Sequence, residues 1–266
     1  MRFSSRVIAF IAITTVALPS AAADRSESEQ RAYDLAALSD RSDEGFGASL
    51  VETTMEIRDT TGRTAERHLK IKTLERSNTQ EGDKTLLVFE SPRDIRGTAL
   101  LSHAQILKPD DQWLYLPALK RVKRISSANK SGPFVGSEFS FEDFSASELN
   151  KYAYEYIREE ELEGLICDVL KRTPLYKRSG YTRQLVWIDR QDHQIRQVEF
   201  YDRSDSLLKI LELREYRQYA EIWRPHLLVM TNHQTGKSTN MQFSEFAFGI
   251  ELREGDFKPG VLSRAR

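Results

Sequence analysis

DDQWLYLPALKRVKRISSANKSGPFVGSEFSFEDF, residues 110–144, is the stretch on which the reading of this chain turns. Asp110 and Asp111 lead into a short aromatic strand, Gln112–Leu116, which Pro117 ends because it brings no ladder donor. A second short strand follows, with Lys120, Arg121, Lys123 and Arg124 set around Val122 and Ile125. Gly132-Pro133-Phe134-Val135-Gly136 then opens an irregular segment longer than a plain connection needs. Ser140 and Asp143 stand at capping-box spacing, which predicts a short helix over roughly 141–150.

Upstream of this stretch the period is that of strands. Val51, Thr53, Met55 and Ile57 alternate with Glu52, Thr54, Glu56 and Arg58. Asp59–Gly62 turns the chain, and Ala65–Leu74 returns with Leu69 and Ile71 facing inward, a long hairpin. Before it, Ser26 and Glu29 form a capping-box pair and Ala32, Leu35, Ala36 and Leu38 share a side, predicting an amphipathic helix over 26–40 that Gly45 and Gly47 close. A charged loop, Asn78–Lys84, precedes the run Leu86–Phe89, and Ala99–Leu107 leads into the central stretch. Downstream the alternation resumes at Tyr152 and continues to Phe248, giving roughly eleven strands at the spacing of an antiparallel meander. Late strands are apolar on both faces: Leu207, Leu211 and Leu213 alternate with Leu208 and Ile210. A flat sheet would leave one face wet, so the pattern predicts a strongly curved sheet with an apolar concave face and a few helices laid across it.

The first 23 residues have the form of an export leader. Arg2 and Arg6 supply the charge, Val7–Leu18 the apolar core and Ala21-Ala22-Ala23 the cleavage site, so a single mature domain over 24–266, exported to the periplasm, is expected. No later stretch reaches the 18 or so apolar residues of a membrane span. With 39 basic against 40 acidic residues, and two of the basic ones in the leader, the chain lacks the surplus that binding a phosphate backbone requires, and nucleic acid is excluded as a partner. Cys167 stands alone within an apolar strand and reads as a small core residue.

Enzyme signatures do not assemble. Gly236-Lys237-Ser238 resembles the end of a phosphate loop, yet Thr231 occupies the place of its first glycine. His68, His103, His193, His226 and His233 show no metal spacing, and Ser137 lacks the second glycine of a nucleophile elbow. No cofactor is expected. The basic run Lys120–Arg124 has two readings: a protected edge strand whose arginines pair with Glu138, Glu142 and Asp143, or an anion site at a cavity mouth. Trp113, Tyr115, Phe134, Phe139, Phe141 and Phe144 are likewise either core staples or the rim and lid of an apolar pocket.

Phe89-x-x-Pro92, Gly97-Thr98-Ala99-Leu100-Leu101, Asp111–Pro117, Val122–Ile125, Phe134–Phe139, Glu142–Phe144, Trp187-Ile188-Asp189 and Tyr201-Asp202 together resemble the outer-membrane lipoprotein-sorting (LolA-like) family. The resemblance implies an incomplete antiparallel β-barrel whose open side helices cover. It further implies a carrier of lipids or lipoprotein acyl chains, working without chemistry or cofactor, and an inner-membrane exporter of the resistance-nodulation-division (RND) type as a partner. On this reading Met55, Ile57, Leu69 and Ile71 of the first hairpin join Trp113, Tyr115, Phe134, Phe139, Phe141 and Phe144 as ligand-binding residues. Arg124 is the candidate polar link between barrel and lid, and the helix from Ser26 with the segment Phe134–Phe144 is the candidate lid.

Elementary energetics shapes such a carrier. Hiding an acyl chain of about 14 carbons is worth on the order of 10 kcal/mol, so release needs a cover held by exchangeable contacts. Two other functions stay open at this stage: an exporter accessory protein without cargo, and a lipid hydrolase. Lipid that co-purifies separates carrier from accessory, and loss of turnover on replacing a nucleophile would single out a hydrolase.

Overall fold

A computed structural model describes residues 25–75, 81–144 and 148–265. The expected leader, residues 1–23, and part of the Asn78–Lys84 loop lie outside these residues. The chain opens with helix α1 (Glu27–Arg41), whose N-cap is Ser26: its side chain accepts from the Glu29 amide while the Glu29 carboxylate accepts from the Ser26 amide. Gly45 and Gly47, both at positive φ, swing the chain from helix to strand and donate their amides to Glu75 at 2.6 Å each. Strands then run through β1 (Ala48–Arg58), β2 (Thr64–Leu74), β3 (Glu81–Ser91), β4 (Ala99–Gln105), β5 (Asp111–Leu116) and β6 (Arg121–Arg124). After an irregular segment come β7 (Tyr152–Leu162), β8 (Leu165–Pro174), β9 (Arg183–Asp189) and β10 (Ile195–Tyr201), then β11 (Leu207–Tyr219), β12 (Ile222–Asn232), β13 (Ser238–Phe243) and β14 (Ala247–Phe248).

All fourteen strands belong to one antiparallel sheet in the order β6-β5-β4-β3-β2-β1-β13-β12-β11-β10-β9-β8-β7, with β14 pairing β1. Every neighbour on that path is a sequence neighbour except β1 and β13, which close the two halves along Thr53↔Phe243 to Arg58↔Ser238. The sheet is a meander whose start and end lie mid-sheet, and whose two edges, β6 and β7, are consecutive in sequence. Residues 125–151 join those edges, and the sheet is not closed into a barrel.

Alternation sorts the side chains onto two faces. Met55, Leu69, Leu87, Phe89, Leu100, Leu170, Val186, Val198, Met230 and Met241 share the concave core. On the convex face Leu86, Val88, Ala99 and Leu101 of β3 and β4 would be wet. They are covered by Phe257 and Leu262 of the C-terminal 3-10 turns, with Trp113 and Tyr115 in the same cluster. A second convex cluster holds Cys167, Val169 and Trp187, and burial pushes the Cys167 thiol up to about 11, the behaviour of a packed core thiol.

Three expectations are corrected. Fourteen strands replace about eleven, in part because the run Thr239–Phe248 breaks into β13 and β14. In place of a helix over 141–150 the described residues form 3-10 turns at Phe141–Phe144 and Leu149–Lys151. Asp143 does accept from the Ser140 amide at 2.7 Å, as the spacing predicts, but Glu142 and Asp143 also bond to Tyr176, Tyr181 and Lys209 of the sheet half beyond β8. Glu138, Glu142 and Asp143 bond to the wall and to the loop after β8, described below, and the arginines of β6 are not their partners.

Candidate functional site

The concave face is filled at one end and hollow at the other. At the filled end, Phe134 is fully buried, stacked on Phe89 at 5.7 Å and flanked by Phe144 at 4.6 Å and Phe141 at 5.5 Å. Phe139, also buried, meets Phe144 at 5.6 Å. Polar bonds fix this plug to both halves of the sheet. Lys209 of β11 reaches Asp143 at 2.5 Å and the Glu138 carbonyl at 3.0 Å, and Tyr181 donates to Asp143 at 2.6 Å. Glu142 accepts from Tyr176 at 2.7 Å, Ser179 at 2.5 Å and the Gly180 amide at 2.8 Å. Gln112 of β5 donates to the Phe141 carbonyl at 2.8 Å, Asn232 of β12 to Glu138 at 2.7 Å, and Arg67 of β2 to the Val135 carbonyl.

At the other end a cavity of about 1340 Å³ lies between the sheet and the C-terminal half of α1. Its apolar lining comes from Val51 and Ile71 of the first hairpin, Leu170 and Val186 of β8 and β9, and Leu213 and Leu228 of β11 and β12, with Ser49, Thr73, Thr85 and Gln194 among them. Sites for drug-sized ligands usually enclose about 300–1,000 Å³, so this one has room for a long or branched chain. The rim is polar and mostly acidic, with Asp40, Glu44, Asp83 and Glu148 against Arg41, Arg172 and Arg224. Burial against the wall, then Glu44 and Asp83, raise Asp40 to about 6; burial also raises Glu148.

The roof, α1, packs Ala32, Tyr33, Leu35 and Ala36 against the core. Ala32 is the one fully buried residue of α1. Arg31 pairs with Asp168 at 3.2 Å and lies 3.5 Å over the Tyr156 ring, and Ser28 donates to the Tyr156 carbonyl at 3.2 Å. Tyr33 packs edge-on against Tyr154 at 6.1 Å. No helix among the described residues is long and apolar enough to cross a membrane, and no cluster of metal-ligating side chains occurs among them.

The fold is shared with known proteins. An outer membrane lipoprotein-sorting protein domain from Vibrio parahaemolyticus is 45% identical, covering 89% of this chain and 100% of that one, with a TM-score of 0.86. This chain belongs to the outer-membrane lipoprotein-sorting family. A family model described as "uncharacterized protein" matches residues 81–264, and a DUF1329 family protein from Desulfovibrio piger is 28% identical over 89% of this chain and 100% of its own, with a TM-score of 0.84. A LolA superfamily protein from Nitrosomonas europaea shares the fold at 17% identity over 88% of this chain and 98% of its own, with a TM-score of 0.68. No curated protein matches the chain.

Within this lipoprotein-sorting fold the residues singled out from sequence fall into four places. Ile71 and Phe144 line the cavity. Met55, Leu69, Phe134 and Phe139 are buried in the plugged end, with Ile57 and Phe141 packed against them. Trp113 and Tyr115 are on the convex face. Arg124 pairs with Asp111 across its own β5–β6 hairpin, and the polar links between plug and barrel come instead from Lys209, Tyr181, Gln112 and Asn232. Sequence reading missed Lys209 and Arg224. A lysine and an arginine inside otherwise apolar strands, Leu208-Lys209-Ile210 and Trp223-Arg224-Pro225, were the available signals.

Proposed function

We propose that this protein is a periplasmic, non-enzymatic carrier of a hydrophobic ligand, a lipid or the acyl chains of a lipoprotein. The observation that carries the reading is the hollow of about 1340 Å³ beneath the C-terminal half of α1, with apolar side chains along its walls. A folded domain packs its interior to crystal-like density, and a space of this size with Leu213, Leu228 and Val186 on its walls is one that an acyl chain would fill at a gain of about 0.8 kcal/mol per methylene. The leader-like residues 1–23 support export. Family membership supports lipoprotein sorting as the setting, and the partner proposed with it is an inner-membrane exporter of the RND type.

Native mass spectrometry of protein purified from cells, followed by lipid extraction, tests this. Lipid should accompany the wild-type chain and be lost from Leu213→Glu, which sets a charge on the half-buried cavity wall; a melting curve of the variant confirms that it folds. Wild-type protein that stays empty through gentle purification and takes up no added lipid would end the carrier reading in favour of an exporter accessory role.

A further inference from the structure

The mouth of the cavity holds a charge that an apolar tail alone does not need. At the start of β12, Arg224 is drawn inward with its side chain 11% exposed. Its guanidinium carbon lies 4.9 Å from the ring centre of Phe46, 5.5 Å from that of Phe248 and 6.0 Å from that of Phe246. Arg224, Phe46 and Phe246 all line the hollow. Burial pulls the guanidinium down to about 10, so it remains a cation at neutral pH. Its two polar contacts both use Nη1: a hydrogen bond to the Trp223 carbonyl at 3.1 Å and a pair with Asp43. Among the described residues Nε and Nη2 make no hydrogen bond, although a guanidinium carries five donors in a fork that fits two oxygens of one oxyanion. Aromatic faces stabilise the charge but do not supply those oxygens. Asp43, in the loop after α1, is 61% exposed, and an exposed partner is readily exchanged.

Resting on the carrier reading above, we infer that Arg224 is the head-group site of the cavity: it receives the carboxylate or phosphate oxygens of an anionic amphiphile whose tail lies along Leu228 and Leu213, and Asp43 is the internal stand-in that these oxygens displace. The remaining rim acids, Asp40, Glu44, Asp83 and Glu148, repel a second anion, so the mouth admits one anionic head and fixes where it sits.

The test uses delipidated mature protein and pairs of probes sharing a tail: a pyrene-labelled fatty acid with its methyl ester, and phosphatidic acid with diacylglycerol, with inorganic phosphate as competitor. Each anionic probe should bind about tenfold or more tighter than its neutral twin, the return expected of a charge-assisted hydrogen bond. Arg224→Met should remove that advantage and leave ester binding in place, and Asp43→Asn should tighten the acid but not the ester. Equal binding of acid and ester, unchanged in both variants, overturns the head-group assignment while leaving the carrier reading intact. Failure of all four lipids to bind overturns both. Displacement of the acid by inorganic phosphate at equal concentration identifies a free-anion site and also overturns the assignment. Should Arg224→Met not fold, the acid-to-ester ratio of the wild type and its shift in Asp43→Asn decide.

Discussion

Replacing Lys209 by Met removes the ammonium that holds the plug and keeps the shape of its stem. Lys209 and Asp143 have side chains 3% and 5% exposed and meet at 2.5 Å, so the change strands a carboxylate in the interior. Breaking one side of a buried pair costs about 3–5 kcal/mol. Asp143 keeps the Tyr181 hydroxyl at 2.6 Å and the Ser140 amide at 2.7 Å, which places the loss at the lower end, about 3 kcal/mol. For a domain of this size that is a fall in Tm of roughly 10 °C. The double variant Lys209→Met, Asp143→Asn removes the stranded charge and should recover about 2 kcal/mol of the loss. Urea denaturation of the four proteins in the cycle reads the coupling, and release of a bound fluorescent fatty acid is followed on the same samples. A fixed plug predicts lost stability with release unchanged below the unfolding range. A loss under about 1 kcal/mol accompanied by faster release would refute the reasoning and make residues 134–144 a gate.

Two further outcomes concern the roof. Arg31→Ala removes a half-exposed ion pair to Asp168 and a cation–π contact with Tyr156, together worth about 1 kcal/mol, so stopped-flow release should quicken up to about fivefold; an unchanged rate would mean that α1 does not move to let ligand out. For pH, Asp40 is raised to about 6 in the closed structure, with Glu44, Asp83 and Glu148 facing it and Arg41 opposing them. A carboxyl that binds its proton more tightly when closed favours closure as pH falls, fully below its ordinary value near 4 and not at all well above 6. Ligand release should therefore slow between pH 7 and pH 4, and Asp40→Asn should flatten most of that slope, leaving the part due to Glu148; a slope unaltered by Asp40→Asn would remove Asp40 from the roof.

Local signals were legible because they act through neighbours in sequence. The capping box of Ser26 and Glu29 and the alternation of the β1–β2 hairpin give those elements to within a residue or two. The run Leu86-Leu87-Val88-Phe89 is apolar throughout, which leaves its two covers unnamed: Leu87 and Phe89 meet the plug and concave core, Leu86 and Val88 the C-terminal turns. Trp113 and Tyr115 look alike in sequence to the cavity aromatic Phe144, and only the register Leu101↔Trp113 and Ala99↔Tyr115 places them outside. The cavity draws on strands as far apart in sequence as β1, β8 and β12, and its cation, Arg224, owes its place to a loop some 180 residues away. Such convergence is set by tertiary closure, to which no local pattern refers.

The discontinuity between β6 and β7 gives this sheet the mechanics of a split collar. No backbone ladder joins β6 to β7, so at that gap the girth of the hollow is set by the side-chain bonds of the plug, such as Lys209 to Asp143 and Tyr176 to Glu142, and not by interstrand amide bonds. A continuous barrel of the same strands would have to break paired strands to accommodate a bulkier guest.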